Sequence, residues 1–127
     1  MSIGIGTDII EIERIGQTLS RQGDKLVRRI LVPNERAQFA SLNNQTLKVA
    51  FLAKRWCAKE AIAKALGTGI AKGVGFQEIE ISHDALGAPQ VLLHAGALTR
   101  LHAIGAHKAL ISISDERQFA VAFCTVS

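Results

Sequence analysis

Glu60 and Lys64 stand four residues apart in the stretch KEAIAKALGTG, and Gly67 and Thr68 continue the same helical row at i+7 and i+8. A carboxylate and an ammonium so spaced can be a plain stabilising pair on a helix surface, closed by a glycine cap. Two details favour something more. Glycines recur through GTGIAKGVG, beyond what one helix end requires, and the negative end of the helix dipole draws a cation to this corner. A phosphate-cradling P-loop is excluded, because the order here is helix, loop, strand and the Gly-Lys-Ser/Thr signature is missing. An anionic ligand at this corner would be held by Lys59, Lys64, the Thr68 hydroxyl, loop amides or a bound metal.

Asp8 is the second anomaly. It interrupts an apolar β pattern between Thr7 and Ile9, where aspartate is depleted. It either marks the strand end and caps the next element, or projects a carboxylate from a rigid one. Asp8 and Glu60 together would suit one Mg²⁺, which takes hard oxygen ligands, keeps waters and binds substrate phosphates. Arg14, Thr18 and Arg21 then run at i, i+4 and i+7 opposite Ile12, Ile15 and Leu19, with Lys25, Arg28 and Arg29 close behind. This is either a solvated basic face or a docking surface for an acidic partner. Nucleic acid would satisfy the charge as well, but no helix-turn-helix, RRM or zinc-finger pattern accompanies it. His83, His94, His102 and His107 lack metal-ligand spacing, and there is no GxSxG nucleophile elbow.

These groups are far apart in sequence, so the fold must bring them together. SIGIGTDIIEI alternates as a strand with Ile3, Ile5, Thr7 and Ile9 on one face. EIERIGQTLSRQ switches to helical spacing, GDKLVRRIL is a short amphipathic piece with Asp24 as its N-cap, and Pro33 restarts a helix. The long helix is expected over about Leu47 to Leu66, ending at Gly67. GFQEIEIS and QVLLH read as strands about the turn HDALGAP, then GALTRLHAIGA as a helix. KALISIS and QFAVAFCTV make a terminal hairpin. The coarse order β-ααα-ββ-α-ββ, helices early and hairpins late, predicts an α+β fold with a largely antiparallel sheet.

At 127 residues the chain is expected to be one domain, 1–127. Hydrophobic residues make up 48%, so it is globular; only 5% are aromatic, too few for a base-stacking platform. The net charge of +4 suits an acidic partner without choosing one. Cys57 and Cys124 belong to no ligand cluster and read as buried thiols in a reducing compartment. There is neither a signal peptide nor a membrane span, so a soluble, cytoplasmic protein is expected, with no membrane or nucleic-acid partner.

Three blocks in this order, GIGTDIIEIERI, FLAKRWCAKEAIAKALGTG and ISISDERQFAVAF, closely resemble the holo-acyl-carrier-protein synthase family of 4′-phosphopantetheinyl transferases, over essentially the whole chain. The resemblance implies transfer of the 4′-phosphopantetheine arm of coenzyme A to a serine of apo acyl carrier protein, releasing adenosine 3′,5′-bisphosphate, in fatty acid biosynthesis. It implies Asp8 and Glu60 as Mg²⁺ ligands, Lys64 beside them in catalysis, and Glu60 as first candidate for the base. Lys59, Lys64, Gly67, Thr68, Gly69 and Pro89 would contact coenzyme A, and Arg14 and Arg21 would dock the acidic carrier. A homotrimer with sites shared between protomers is implied too. Two departures stand out. Asp115 and Glu116 occupy a corner where some members have histidine, and the loop NNQTLK supplies only Lys48 where some members hold the 3′-phosphate. The competing readings, a basic binding module and a purely structural trimer subunit, leave Asp8, Glu60 and the GTG corner without work.

Overall fold

Small residues decide how this chain packs. In a computed structural model, which describes residues 2–127, the first strand β1 (Gly4–Glu11) leads directly into helix α1 (Ile12–Gln22). Helices α2 (Asp24–Ile30), α3 (Pro33–Ser41) and α4 (Gln45–Ala65) follow. A single 3₁₀ turn (Phe76–Glu78) then opens the hairpin β2 (Ile79–His83) and β3 (Pro89–Leu93). Helix α5 (Ala95–Ala103) and the hairpin β4 (Ala109–Asp115) and β5 (Phe119–Val126) complete the chain. The α+β architecture with antiparallel pairing is as expected. Four helices rather than three precede β2, because the short amphipathic piece is a full helix, α2.

The strands form two sheets, β1-β5-β4 and β2-β3, each antiparallel. β5 is central, and its register places Gly4 opposite Val126, Gly6 opposite Cys124 and Asp8 opposite Ala122. The inner face of β1 and β5 is therefore mostly small, with Gly4, Gly6, Ala120, Ala122 and Cys124, which lets α4 lie close against it. A Cβ on Gly6 would land on the Ala61 carbonyl oxygen and the Ala65 amide nitrogen, and one on Gly4 would meet the Ala65 carbonyl. The apolar stripe read from the sequence, Ile3, Ile5 and Ile9, lies on the outer face and is exposed.

Around α4 two cores form. One joins Cys57, Ala61, Ile62 and Ala65 to the sheet and to Ile79, Ile81, Leu93 and Leu101; the other joins Leu52 and Ala53 to Ile15, Leu19, Leu26 and Ile30. α4 starts where Asn44 Oδ1 accepts from Leu47 N at 3.1 Å and stops at Gly67, whose φ of +84° glycine adopts freely. Asp24 is not the N-cap of α2. Gly23 holds that place, and Asp24, already inside the helix, pairs with Arg28 Nε at 2.6 Å. Among the described residues no helix is long and apolar enough to cross a membrane.

Candidate active site

The close fit of β1 on α4 places Asp8, the next inward-facing residue after Gly6, over the last turns of the helix. Lys64 Nζ donates to Asp8 Oδ1 and to the Thr7 carbonyl, each at 3.0 Å. Asp8 and Glu60 line one cleft of about 270 Å³ with Arg14, Ile15 and Thr18 of α1 and Trp56 of α4. Strand, basic helix and long helix thus converge on it. Beneath, Cys57 Sγ donates to the Asp8 carbonyl at 3.2 Å, and burial pushes its thiol up to about 12, so it supports β1 as an unreactive group.

The electrostatics of the cleft are unfinished. Burial first, and then the neighbouring Asp8 carboxylate, push the Glu60 carboxyl above its ordinary range, while the Trp56 indole N–H, Lys64 and Arg29 pull the other way. A cation between the carboxylates would relieve that repulsion. Among the described residues no three His, Cys, Asp or Glu side chains gather as a metal cluster. A pair of carboxylates beside an open cleft fits Mg²⁺, which binds through one or two protein carboxylates, waters and substrate phosphates.

The remaining candidates divide. Gly67, Thr68 and Gly69 form the turn directly after α4; Gly67 and Gly69 have positive φ, and the Thr68 hydroxyl donates to the Gly69 carbonyl at 2.8 Å. Arg100 Nε donates to the Leu66 carbonyl at 2.8 Å and braces the corner. Arg14 and Arg21 are exposed on α1, with Arg21 Nη2 reaching Thr18 Oγ1 at 3.4 Å. Pro89 is elsewhere, in a cleft of about 320 Å³ walled by Lys54, Arg55, His83 and Asp115, which shares no lining residue with the Asp8 cleft.

Lys59 requires a correction. Expected to contact coenzyme A, it is wholly buried, donating to Glu35 Oε1 at 2.6 Å, Ile30 O at 2.7 Å and Phe76 O at 3.1 Å. One residue along a helix is a turn of about 100°, so Lys59 points into the protein while Glu60 points to the cleft. Its partner Glu35, which sequence reading passed over, also accepts from the Val32 and Ile81 amides at 2.9 Å each. The signal for the inward glycines was present: glycine inside a strand marks a close backbone approach.

A family model described as the 4′-phosphopantetheinyl transferase superfamily matches residues 4–124, and the chain belongs to that family. It is 52% identical over 120 residues to a holo-(acyl-carrier-protein) synthase of Shewanella amazonensis, covering 94% of each chain. A Vibrio cholerae protein of the same name is 48% identical over 122 residues, covering 96% of this chain and 94% of that one. Among solved structures, the Neisseria meningitidis holo-(acyl-carrier-protein) synthase matches with a TM-score of 0.91 at 39% identity, covering 100% of this chain and 99% of that one. The Helicobacter pylori enzyme, solved in complex with coenzyme A, gives a TM-score of 0.83 at 32% identity over 97% of this chain and 99% of its own.

Proposed function

We propose that this chain is an enzyme that transfers the 4′-phosphopantetheine arm of coenzyme A to a serine of apo acyl carrier protein, with Mg²⁺ held by Asp8 and Glu60. The observation that carries this reading is the convergence of Asp8, Glu60 and Arg14 on one cleft, with Lys64 on Asp8, in a member of the transferase family. The serine oxygen attacks the phosphorus that carries the pantetheine arm. The bond to the other phosphate breaks, and adenosine 3′,5′-bisphosphate leaves with that bond's electrons. Bound Mg²⁺ would supply charge neutralisation at the pyrophosphate. Lys64, half-exposed, turns from Asp8 to the leaving phosphate, and Glu60, in the same cleft, is the first candidate to accept the serine proton. The turn at Gly67, Thr68 and Gly69 offers backbone to the nucleotide, and the exposed Arg14 and Arg21 receive an acidic carrier.

The reading extends to a homotrimer acting in the cytoplasm. Ile5, Ile9, Leu110, Val121 and Phe123 are exposed on the outer face of the β1-β5-β4 sheet, an apolar surface suited to a second copy. Both cysteines are free and buried, in keeping with a reducing compartment. Pro89, set in a separate cleft, would reach coenzyme A only if a site is completed by a neighbouring copy.

The deciding experiment is the intact mass of apo acyl carrier protein incubated with this protein and coenzyme A, with Mg²⁺ or with excess EDTA. A phosphopantetheine-sized gain confined to the Mg²⁺ sample is expected. No gain with any apo carrier, from folded protein, would reject the assignment.

A further inference from the structure

One cation at the glycine corner takes no part in the transfer. α4 points its C-terminus at this corner, and a helix C-terminus carries partial negative charge, which disfavours an anionic ligand. The helix is closed by backbone alone. Gly67 N donates to the Lys64 carbonyl at 2.9 Å, and Thr68 N and Gly69 N donate to the Ala63 carbonyl at 3.3 and 3.1 Å. Arg100 is therefore not needed to stop it. Yet Arg100 Nε donates to the carbonyl of Leu66, the C-cap of α4, at 2.8 Å, and its Nη2 lies where a Cβ on Gly67 would come within 3.1 Å. Among the described residues no carboxylate pairs with this half-buried guanidinium, so its charge acts on the corner unneutralised. The rest of α5 fixes it there. Ala97 and Leu101 share a core with Leu66 and Val74, and a Cβ on Gly96 would land on the Gly73 carbonyl oxygen. One helix thus braces the glycine-rich segment at both ends, and Arg100 is its one permanently charged side chain.

We propose that Arg100 is a positioning residue for coenzyme A. Fixed on the Leu66 carbonyl, its guanidinium offsets the negative end of α4 and holds the turn at Gly67, Thr68 and Gly69 in the form that receives the nucleotide. This rests on the reading of that turn as a coenzyme A contact. A charge at a partly buried helix terminus sets the scale of the effect, about 10-fold in affinity.

The test uses the full chain and coenzyme A as probe, titrated calorimetrically without carrier into wild type, Arg100→Gln and Arg100→Lys. Arg100→Gln retains a donor and loses the charge. It should bind coenzyme A about 10-fold more weakly, with the gap narrowing at high salt, and Arg100→Lys should recover most of the affinity. In turnover, Arg100→Gln should raise the KM for coenzyme A and leave kcat and the KM for carrier near wild type. A merely structural loss would instead lower the melting temperature and the folded fraction, cutting kcat with both KM values unmoved, and that result overturns the proposal. Wild-type affinity in Arg100→Gln would overturn it too, as would Arg100→Lys binding no better than Arg100→Gln, since the charge would then be idle. The turn itself is tested apart, by amide hydrogen exchange in wild type, where saturating coenzyme A should slow exchange over 67–70. No slowing in protein that binds coenzyme A, or no binding by wild type, would remove the turn as a contact and this proposal with it. Slowing there, alongside wild-type affinity in Arg100→Gln, would leave the turn standing and reject Arg100 alone.

Discussion

Lys59 and Glu60 are neighbours in sequence and opposites in surroundings. Lys59 closes a buried cluster: its ammonium and the Arg55 guanidinium both face Glu35, whose two oxygens also take the Val32 and Ile81 amides. That cluster ties the start of α3, the middle of α4 and strand β2 into one unit. Glu60 opens onto a cleft where two carboxylates are answered chiefly by a single, half-exposed lysine. In the first cluster, desolvation of Lys59 and Glu35 is offset by close hydrogen bonds, with the Arg55 guanidinium adding charge at 3.7 Å although its buried Nε has no hydrogen-bond partner, so the energy there lies in breaking the Lys59–Glu35 pair. In the second, the charge is left unbalanced, and a ligand can supply what is missing. The same residue types on the same helix thus hold the protein together on one side and leave it ready to bind on the other.

Breaking the buried cluster should give the largest effect. Lys59→Met leaves the Glu35 carboxylate without its closest cation, at a cost of about 3–5 kcal/mol in urea unfolding, a large share of the stability of an ordinary domain. A variant that unfolds like wild type yet fails to bind coenzyme A would reverse the assignment of Lys59. On the other side, Asp8→Ala and Glu60→Ala should slow carrier modification by about 10²–10³-fold while the far-ultraviolet circular dichroism and the unfolding midpoint stay near wild type. Full turnover in either variant would erase the contrast between the clusters.

Gly6→Ala probes what joins them. Its methyl must push β1 off α4, costing roughly 1–3 kcal/mol of overpacking, and activity should fall further than stability, since Asp8 rides on the displaced strand. Arg14→Ala or Arg21→Ala should raise the KM for carrier severalfold, more at low salt than at high, and leave the KM for coenzyme A alone. An equal rise in both would place these arginines in the cofactor site.

The smallest effect has an unusual sign. Because burial and Asp8 raise the folded Glu60 above its unfolded value, the metal-free native state binds that proton more tightly. Its stability is therefore greater below the ordinary carboxyl range and declines as pH rises through the raised value. Glu60→Gln should remove that decline and stabilise the metal-free protein at neutral pH by less than about 1 kcal/mol, discounted for partial exposure, while slowing transfer no more than Glu60→Ala does. A destabilised Glu60→Gln would mean the carboxylate belongs to the scaffold after all.

Much of this was legible in the sequence where local rules apply. The alternating first strand, the i+4 spacing of Glu60 and Lys64 and the glycine stop of α4 each come from one segment read alone. What escaped is set by partners. Nothing within KRWCAKEA states that Lys59 faces inward, because α4 is apolar on more than one side and packs into two cores at once. Glu35 reads as a surface charge until Lys59 and the Ile81 amide are placed against it. Asp24 resembles a cap, but Gly23, at a φ of +57°, takes the bend instead. Pro89 lies on a strand whose position relative to Asp8 no local pattern encodes.

The two glycines of β1 have a further meaning for anyone ranking positions by tolerance to change. Gly6 has no functional group, yet every other residue at that position must displace backbone atoms of α4. A saturation screen scored on carrier modification will therefore mark Gly6 as unforgiving as Glu60, and a reader of that map would count it among the reacting groups. The distinction appears only when the same library is scored for folding. There Gly6 should stay intolerant while Glu60 becomes permissive, separating the position that sets a distance from the one that uses it.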